Sequence, residues 1–152
     1  MARVSNVPAD SLPPDLRRIY ESFADGYARF GNQVAVMAHV PSALRHLMGM
    51  LLELREQRNV PPRYIELAVV AVSRLNACTY CIAHHQPLLV VEGLSPEGAE
   101  RILDYEHHPE LDDVDRLVVE FALAVTQTPQ RIRDALFDDL RRHFSEAQIV
   151  EL

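Results

Sequence analysis

The chain has 152 residues, the length of one ordinary domain, and 48% of them are hydrophobic, so it can bury a core without help from metals or disulfides. Fifteen basic residues against 22 acidic ones give a formal net charge of −7 at pH 7, which argues against nucleic acid or an anionic membrane surface as a partner. All of the basic residues are arginines, and the absence of lysine excludes Schiff-base chemistry and P-loop phosphate binding.

The N-terminus and the apolar runs of the sequence predict a cytoplasmic protein. The opening residues, MARVSNVPADSLPPDL, lack the apolar stretch of a secretory signal, and no apolar run approaches the roughly 18 residues of a membrane span. We therefore expect no membrane attachment. In a reducing compartment, a close pair of cysteines is more often catalytic or metal-binding than a permanent disulfide.

Apolar residues recur at helical spacing along almost the whole chain, and no sustained alternation predicts a strand. A Pro-rich lead-in over residues 1–14 is expected to be flexible, and the first helix is expected to end at Gly31-Asn32. In chain order, the predicted helices cover residues 15–30, 41–59, 63–76, 77–92, a short segment from 96, 113–126, 131–144 and 145–152. The sequence therefore predicts an all-α bundle that forms a single domain over residues 1–152.

Two segments offer more apolar surface than one small bundle can bury. The stretch IELAVVAV, residues 65–72, is apolar on nearly all sides, which is typical of a helix buried in a larger core or in an oligomer. The final stretch, SEAQIVEL, has Ser145 as a helix cap but reaches Leu152 without a stop signal. We expect this helix to be cut short or to complete itself against a partner, and the protein to form oligomers.

The segment NACTYCIAHH, residues 76–85, contains both cysteines of the chain. At about 100° per residue, Cys78, Cys81 and His85 share one narrow face of a helix, and His84 lies off that face. With Asn76 as the expected N-cap, both cysteines lie near the helix N-terminus, where the helix dipole favours a thiolate. The dipole contributes only ~0.3–1 kcal/mol, less than one pKa unit, so a second group is needed. His85, about one turn beyond Cys81, is the expected proton acceptor.

A single carboxylate, Glu66, lies within the apolar helix that precedes the cysteines. Burying it is unfavourable unless it is paired. If the chain reverses near Asn76, Glu66 lies ten residues before the turn and His85 nine residues after it, so the two lie at the same height. The alternative is a structural ion pair between Glu66 and Arg63 or Arg74.

Together these residues predict a proton relay that activates a nucleophile. Glu66 would orient His85, His85 would take the proton of Cys81, and Cys78 would resolve an oxidised Cys81 by forming a disulfide. A CxxC pair without chemical function is the simpler alternative.

A zinc site is the third interpretation of the cysteine pair. Cys78, Cys81 and a histidine supply only three local ligands, whereas a structural zinc site needs four. His107 and His108 could add to the set, but the stretch YEHHPELDD reads as an ordinary solvated loop. We therefore expect no bound metal.

The candidate residues form a spaced signature: Glu66, eleven residues, the motif CTYC at residues 78–81, three residues, and His85. This signature resembles that of the carboxymuconolactone decarboxylase superfamily, and most closely that of its alkylhydroperoxidase D-like branch. The stretches PPRYIELAVVAVSRLNACTYCIAHH and DDVDRLVVEFALAVTQTP resemble the same family, so the similarity covers roughly residues 35–150.

The resemblance implies an all-helical fold, homo-oligomers of three or six chains, and reduction of hydroperoxides without a bound cofactor. It implies that Cys81 is the peroxidatic cysteine, Cys78 the resolving cysteine, and Glu66 with His85 the proton relay. An external dithiol or thiol protein would restore the pair. Some members carry a histidine where this chain has Tyr80, a much weaker base near pH 7, so the peroxidase rate or the substrate is expected to differ.

Two other functions stay open at this point. Cofactor-free decarboxylation of a lactone is the activity that names the superfamily, but that branch does not typically rely on a cysteine pair. The non-enzymatic alternative is a redox-sensing or structural subunit whose disulfide state alters a partner.

Overall fold

The computed structural model describes residues 3–26 and 30–152. Within these residues every regular element is helical and none is a strand, which confirms the predicted all-α class. The α-helices are α1 (Pro14–Glu21), α2 (Gly31–Met37), α3 (Pro41–Ala43), α4 (Gly49–Gln57), α5 (Pro62–Leu75), α6 (Thr79–Val91), α7 (Pro96–Glu100), α8 (Asp113–Gln127), α9 (Asp134–Arg141) and α10 (Glu146–Glu151). They are supplemented by π-helical segments (Ser22–Gly26 and Leu44–Met48) and 3-10 helices (Ala9–Ser11, Ile102–His107 and Pro129–Arg131). None of the helices in these two ranges has both the length and the apolar character needed to cross a membrane.

The chain divides into two compact units, one up to Arg58 and one from Asn59 onward. The first unit buries an apolar cluster supplied by α1, α2 and the segment from α3 to α4. The backbone N–H of Val7 donates to the Ala35 carbonyl (3.0 Å), so part of the predicted lead-in packs on this unit. The buried members of the cluster are Leu12, Leu16, Phe23, Phe30, Val34, Ala38, Leu44 and Met48. A single domain over residues 1–152 stays a prediction.

The prediction that a helix ends at Gly31-Asn32 is wrong, because a helix begins there instead. The helix that begins with α1 continues as π-helix to Gly26, and residues 27–29, including part of the predicted first helix, lie outside the described residues. Gly31 is the first residue of α2 instead of the end of a helix. Glycine and asparagine are common at both ends of helices, so the pair marks a boundary without telling on which side the helix lies.

In the second unit, α5 is the central helix and packs against both α6 and α8. Pro62 occupies its first turn, where the missing N–H leaves no helical hydrogen bond unmade. Leu67, Val70 and Ala71 of α5 are completely buried. Burying a leucine or valine side chain stabilises the fold by ~1.5–3 kcal/mol, so the packing of α5 holds both neighbouring helices in place.

Arg63, near the start of α5, connects the ends of three helices. Its guanidinium donates to the buried carboxylate of Asp115 in α8 (Nη2–Oδ2 2.6 Å) and to the carbonyl of Glu92 at the end of α6 (2.8 Å). The hydrogen bond to Asp115 raises the pKa of Arg63. Asp115 also completes a capping box with Asp112 at the start of α8. These contacts hold the end of α6 that lies away from the cysteines.

Two serines cap helices as the sequence predicted. The hydroxyl of Ser95 accepts the Gly98 N–H at the start of α7 (2.9 Å), and the hydroxyl of Ser145 accepts the Gln148 N–H at the start of α10 (3.3 Å). Ser95 also donates its hydroxyl and its backbone N–H to the carboxylate of Glu110, at 2.7 Å each, and these bonds lower the pKa of Glu110.

His108 is buried, so the prediction that it lies in an ordinary solvated loop is wrong. Its exposed fraction is 0%, its Nε2–H donates to the Gly98 carbonyl (3.0 Å), and its Nδ1 accepts the Glu110 N–H (3.2 Å). The 3-10 helix Ile102–His107 comes directly before His108. It places Ile102 in the core and ends where the chain turns His108 inward. His107 does lie in solvent, with its side chain 81% exposed. The imidazole of His108 is therefore a structural crosslink between α7 and the loop before α8.

We predict that His108→Ala lowers the free energy of unfolding by about 2–4 kcal/mol, because it opens a cavity and removes the hydrogen bonds of the imidazole to the Gly98 carbonyl and the Glu110 N–H. Urea denaturation followed by circular dichroism measures the change. The neighbouring His107→Ala is the matched control and should stay within about 0.5 kcal/mol of wild type. Equal effects of the two substitutions would show that the imidazole of His108 does not hold the loop.

Candidate active site

The turn between α5 and α6 brings the cysteines to the start of a helix. The Ala77 N–H donates to the Arg74 carbonyl (3.1 Å), and the Cys78 N–H donates to the Ser73 carbonyl (2.9 Å). This pair of bonds is a Schellman motif, which requires a left-handed residue after the helix. Ala77 takes that conformation, with φ of 51°. The motif ends α5 and reverses the chain directly at Cys78.

Cys78 itself is the N-cap of α6, which corrects the expectation that Asn76 would take this position. Asn76 is used as the C-cap of α5, whereas Cys78 has the extended backbone of an N-cap and its Sγ accepts the N–H of Cys81 (3.4 Å). Cys78 and Cys81 are joined by a disulfide, with 5.4 Å between their Cα atoms. Both sulfurs therefore lie at the positive end of the α6 dipole.

The contact expected between Glu66 and His85 is present. The imidazole Nδ1 of His85 lies 2.8 Å from Oε2 of Glu66, which links α6 to α5. The Glu66 side chain is 5% exposed and that of His85 is 12% exposed, so the pair is largely shielded from water. A carboxylate on Nδ1 favours the tautomer in which Nδ1 carries the proton and Nε2 is the basic nitrogen. The pair can thus present a base on the face of α6 that carries Cys81.

The two arginines proposed as alternative partners of Glu66 make other contacts. Arg63 pairs with Asp115, and Arg74 donates to the side chain of Gln86 (2.6 Å) and to the Ala99 carbonyl (3.1 Å). The interpretation of Glu66 therefore rests on its observed contact with His85.

Metal binding has no matching geometry in the described ranges. Within residues 3–26 and 30–152, no group of three or more His, Cys, Asp and Glu side chains is arranged to hold a metal ion. The two histidines considered as additional ligands are a solvent-exposed residue, His107, and a buried crosslink, His108.

A ring contact on α6 was not predicted from the sequence. The rings of Tyr80 and His84 lie with their centroids 4.4 Å apart and their planes tilted by 56°. The two residues are one helical turn apart, and i,i+4 aromatic spacing was the signal that could have predicted the contact. The pair lies on α6 beside Cys81.

The geometry defines an all-helical protein with a disulfide-forming cysteine pair and a buried carboxylate–imidazole pair. Comparison with known families matches residues 40–106 to the Carboxymuconolactone decarboxylase family. The matched residues, a little under half of the chain, include Glu66, Cys78, Cys81 and His85, so this segment is similar to the carboxymuconolactone decarboxylase family, as the spaced signature predicted.

Two individual proteins are similar to the chain. The uncharacterized protein YnjA of Escherichia coli (strain K12) is 25% identical over 109 residues, which cover 70% of this chain. The match spans 60% of the length of YnjA. The crystal structure of the debrominase Bmp8 superposes with a TM-score of 0.79 and 16% identity, over 99% of this chain and 81% of Bmp8. This likeness is one of fold.

We predict that Cys81 is the more reactive thiol of the reduced pair. The helix N-terminus favours both thiolates, but His85 lies about one turn from Cys81 and two turns from Cys78. After reduction, iodoacetamide at mildly acidic pH should label Cys81 first, as read by peptide mapping. His85→Ala should remove this preference. Faster labelling of Cys78 would reverse the assignment of the two roles.

Proposed function

We propose that the protein is a thiol-dependent oxidoreductase of the alkylhydroperoxidase D-like branch, which reduces hydroperoxides through Cys78 and Cys81. The observation that carries the proposal is the placement of this disulfide at the start of α6, with the Glu66–His85 pair about one turn beyond Cys81. The proposal includes no bound cofactor or metal.

The reaction uses the two cysteines in sequence. In the reduced protein, Nε2 of His85 takes the proton of the Cys81 thiol, and Glu66 supports the resulting imidazolium. The Cys81 thiolate attacks the terminal oxygen of the hydroperoxide, which breaks the O–O bond and gives a sulfenic acid and an alcohol. The Cys78 thiol then attacks the Cys81 sulfur, a disulfide forms, and water leaves. An external dithiol or thiol protein supplies the two electrons that restore the pair.

The placement of Cys78 suits the resolving role. As the N-cap it is held by the Schellman motif of α5, and its sulfur already lies next to the Cys81 N–H. A resolving thiol must reach the sulfenic acid without rearrangement of the backbone, and 5.4 Å between the two Cα atoms is within the usual range for a disulfide.

Association with further copies belongs to the same proposal, as a trimer or hexamer. Val91 at the end of α6 is 80% exposed and Val150 in α10 is 87% exposed, and burying these side chains in an interface would favour association. A cytoplasmic location would keep the reductant available.

We predict that Cys81→Ser abolishes hydroperoxide reduction, because the hydroxyl of serine is a far weaker nucleophile at neutral pH than a thiolate. Stopped-flow mixing of the reduced protein with tert-butyl hydroperoxide measures the rate. Cys78→Ser is the matched control, since it should still react once and stop as the sulfenic acid, which mass spectrometry detects.

Other outcomes of this assay point to other functions. Lactone decarboxylation that survives the loss of both cysteines would support the activity that names the superfamily. A disulfide that forms without turnover would support a redox-sensing subunit. The structural neighbour is named a debrominase, so a brominated organic compound is the second oxidant to test in this assay. Conversion of this compound to the hydrogen-substituted product and bromide, with oxidation of the cysteine pair, would identify it as the substrate in place of hydroperoxides.

We predict that Glu66→Gln slows hydroperoxide reduction by about tenfold or more, as part of the ~10²–10⁴-fold that a positioned base contributes. The amide keeps size and hydrogen bonding but loses the charge that supports an imidazolium at His85. His85→Ala should slow the reaction at least as much, and the double variant should be scarcely slower than His85→Ala. Single-turnover rates and thermal melts of the four proteins measure the cycle. Additive losses of rate in the double variant would show that Glu66 does not act through His85.

A further inference from the structure

Cys81 has a histidine on each side of it around the α6 axis. At about 100° per residue, His85 lies roughly 40° from Cys81 in one direction, and His84 roughly 60° from it in the other. Residues three and four positions apart are neighbours on a helix surface, so both imidazoles lie within one turn of the sulfur. The nucleophile is thus flanked, and the two rings are held by different groups.

The two histidines have different partners. His85 is fixed through Nδ1 by the carboxylate of Glu66, and the proposed relay assigns its Nε2 to the thiol. His84 lies against the ring of Tyr80, with 4.4 Å between the centroids. The planes of the two rings are tilted by 56°, and this aromatic contact holds the imidazole in position on α6. Tyr80 is 38% exposed and His84 is partly exposed, which gives the pair access to protons from water.

Hydroperoxide reduction needs a proton at a second place. The thiolate, the attacked oxygen and the leaving oxygen are in line, so the leaving oxygen lies on the far side of the attacked oxygen from the sulfur. An alkoxide is a strong base, and its departure requires a general acid. In the proposed relay, His85 serves the thiol of Cys81, about one turn away.

We propose that His84 is the general acid for the leaving oxygen and that Tyr80 is the residue that positions it; this inference rests on the proposed hydroperoxide reduction. The Cys81 thiolate bonds to the terminal oxygen, the O–O bond breaks, and the alkoxide takes a proton from the imidazolium of His84. The products are the Cys81 sulfenic acid, one alcohol and neutral His84, which regains its proton from water. The cysteine sulfur is oxidised by two electrons and the hydroperoxide is reduced by two.

The leaving group separates this role from a structural one. Tert-butyl hydroperoxide releases an alkoxide, whereas peracetic acid releases acetate, a weak base that needs no proton donor. In single-turnover rapid-quench experiments with reduced protein, His84→Gln should slow the reaction with tert-butyl hydroperoxide by about 10²-fold. The ratio of the peracetic acid rate to the tert-butyl hydroperoxide rate should rise by the same factor. His107→Gln is the matched control on an exposed histidine and should leave the ratio unchanged.

Tyr80 is tested by the same ratio. Tyr80→Ala should raise the ratio, and Tyr80→Phe, which keeps the ring, should restore most of the wild-type value. Iodoacetamide labelling of Cys81 in His84→Gln checks that thiolate formation still depends on His85. An unchanged ratio in His84→Gln, or an equal loss with both oxidants, would overturn the assignment of His84. A wild-type protein that reacts with neither oxidant would overturn the proposed function and this inference with it.

Discussion

The hydrogen bond from the Cys78 N–H to the Ser73 carbonyl holds the site together. It closes α5, reverses the chain and leaves Cys78 in the extended conformation that an N-cap needs. The left-handed conformation of Ala77 costs ~1–2 kcal/mol for a residue with a Cβ, and the two bonds of the motif, at ~0.5–1.5 kcal/mol each, offset it. The equivalent turn after α6 uses Gly93, where that conformation is free of strain.

From this turn the positions of the other site residues follow. Because α6 runs back along α5, Glu66 and His85 meet between the two helices. Glu66 lies in an apolar helix, and His85 lies in a helix whose other residues are mostly apolar. Each side chain therefore provides the hydrogen-bond partner that the other one needs when it is buried. At the end of α6 away from the cysteines, Arg63 of α5 donates to the Glu92 carbonyl (2.8 Å), while its salt bridge to Asp115 holds α8. The helix with the cysteines is therefore held to α5 by polar contacts near its middle and at its C-terminal end.

Several features of the fold were predictable from local physical chemistry. Helical periodicity predicted the all-α class, and Ser95, Ser145 and Pro62 predicted helix starts, because caps and proline act within one turn. Gly31 could not be assigned to the correct side of its boundary, since both helix ends accept glycine. The burial of His108 was also missed, because its two partners come from α7 and from Glu110 and only the tertiary fold brings them around the ring.

For the site, the sequence by itself determined the residue types, their shared helical face and the Glu66–His85 contact, because equal distances from a chain reversal place two residues at equal heights. The tertiary structure decided which residue caps α6 and which polar side chains pair with one another. Asn76 and Cys78 were both able to cap α6, and the end of α5 selected Cys78 by using Asn76 for its own C-cap. The same fold engaged Arg63 with Asp115 and Arg74 with Gln86, which left the imidazole of His85 beside Glu66. Sequence spacing fixes what one helix can bring together, whereas the choice among equivalent polar partners depends on which helices pack against each other.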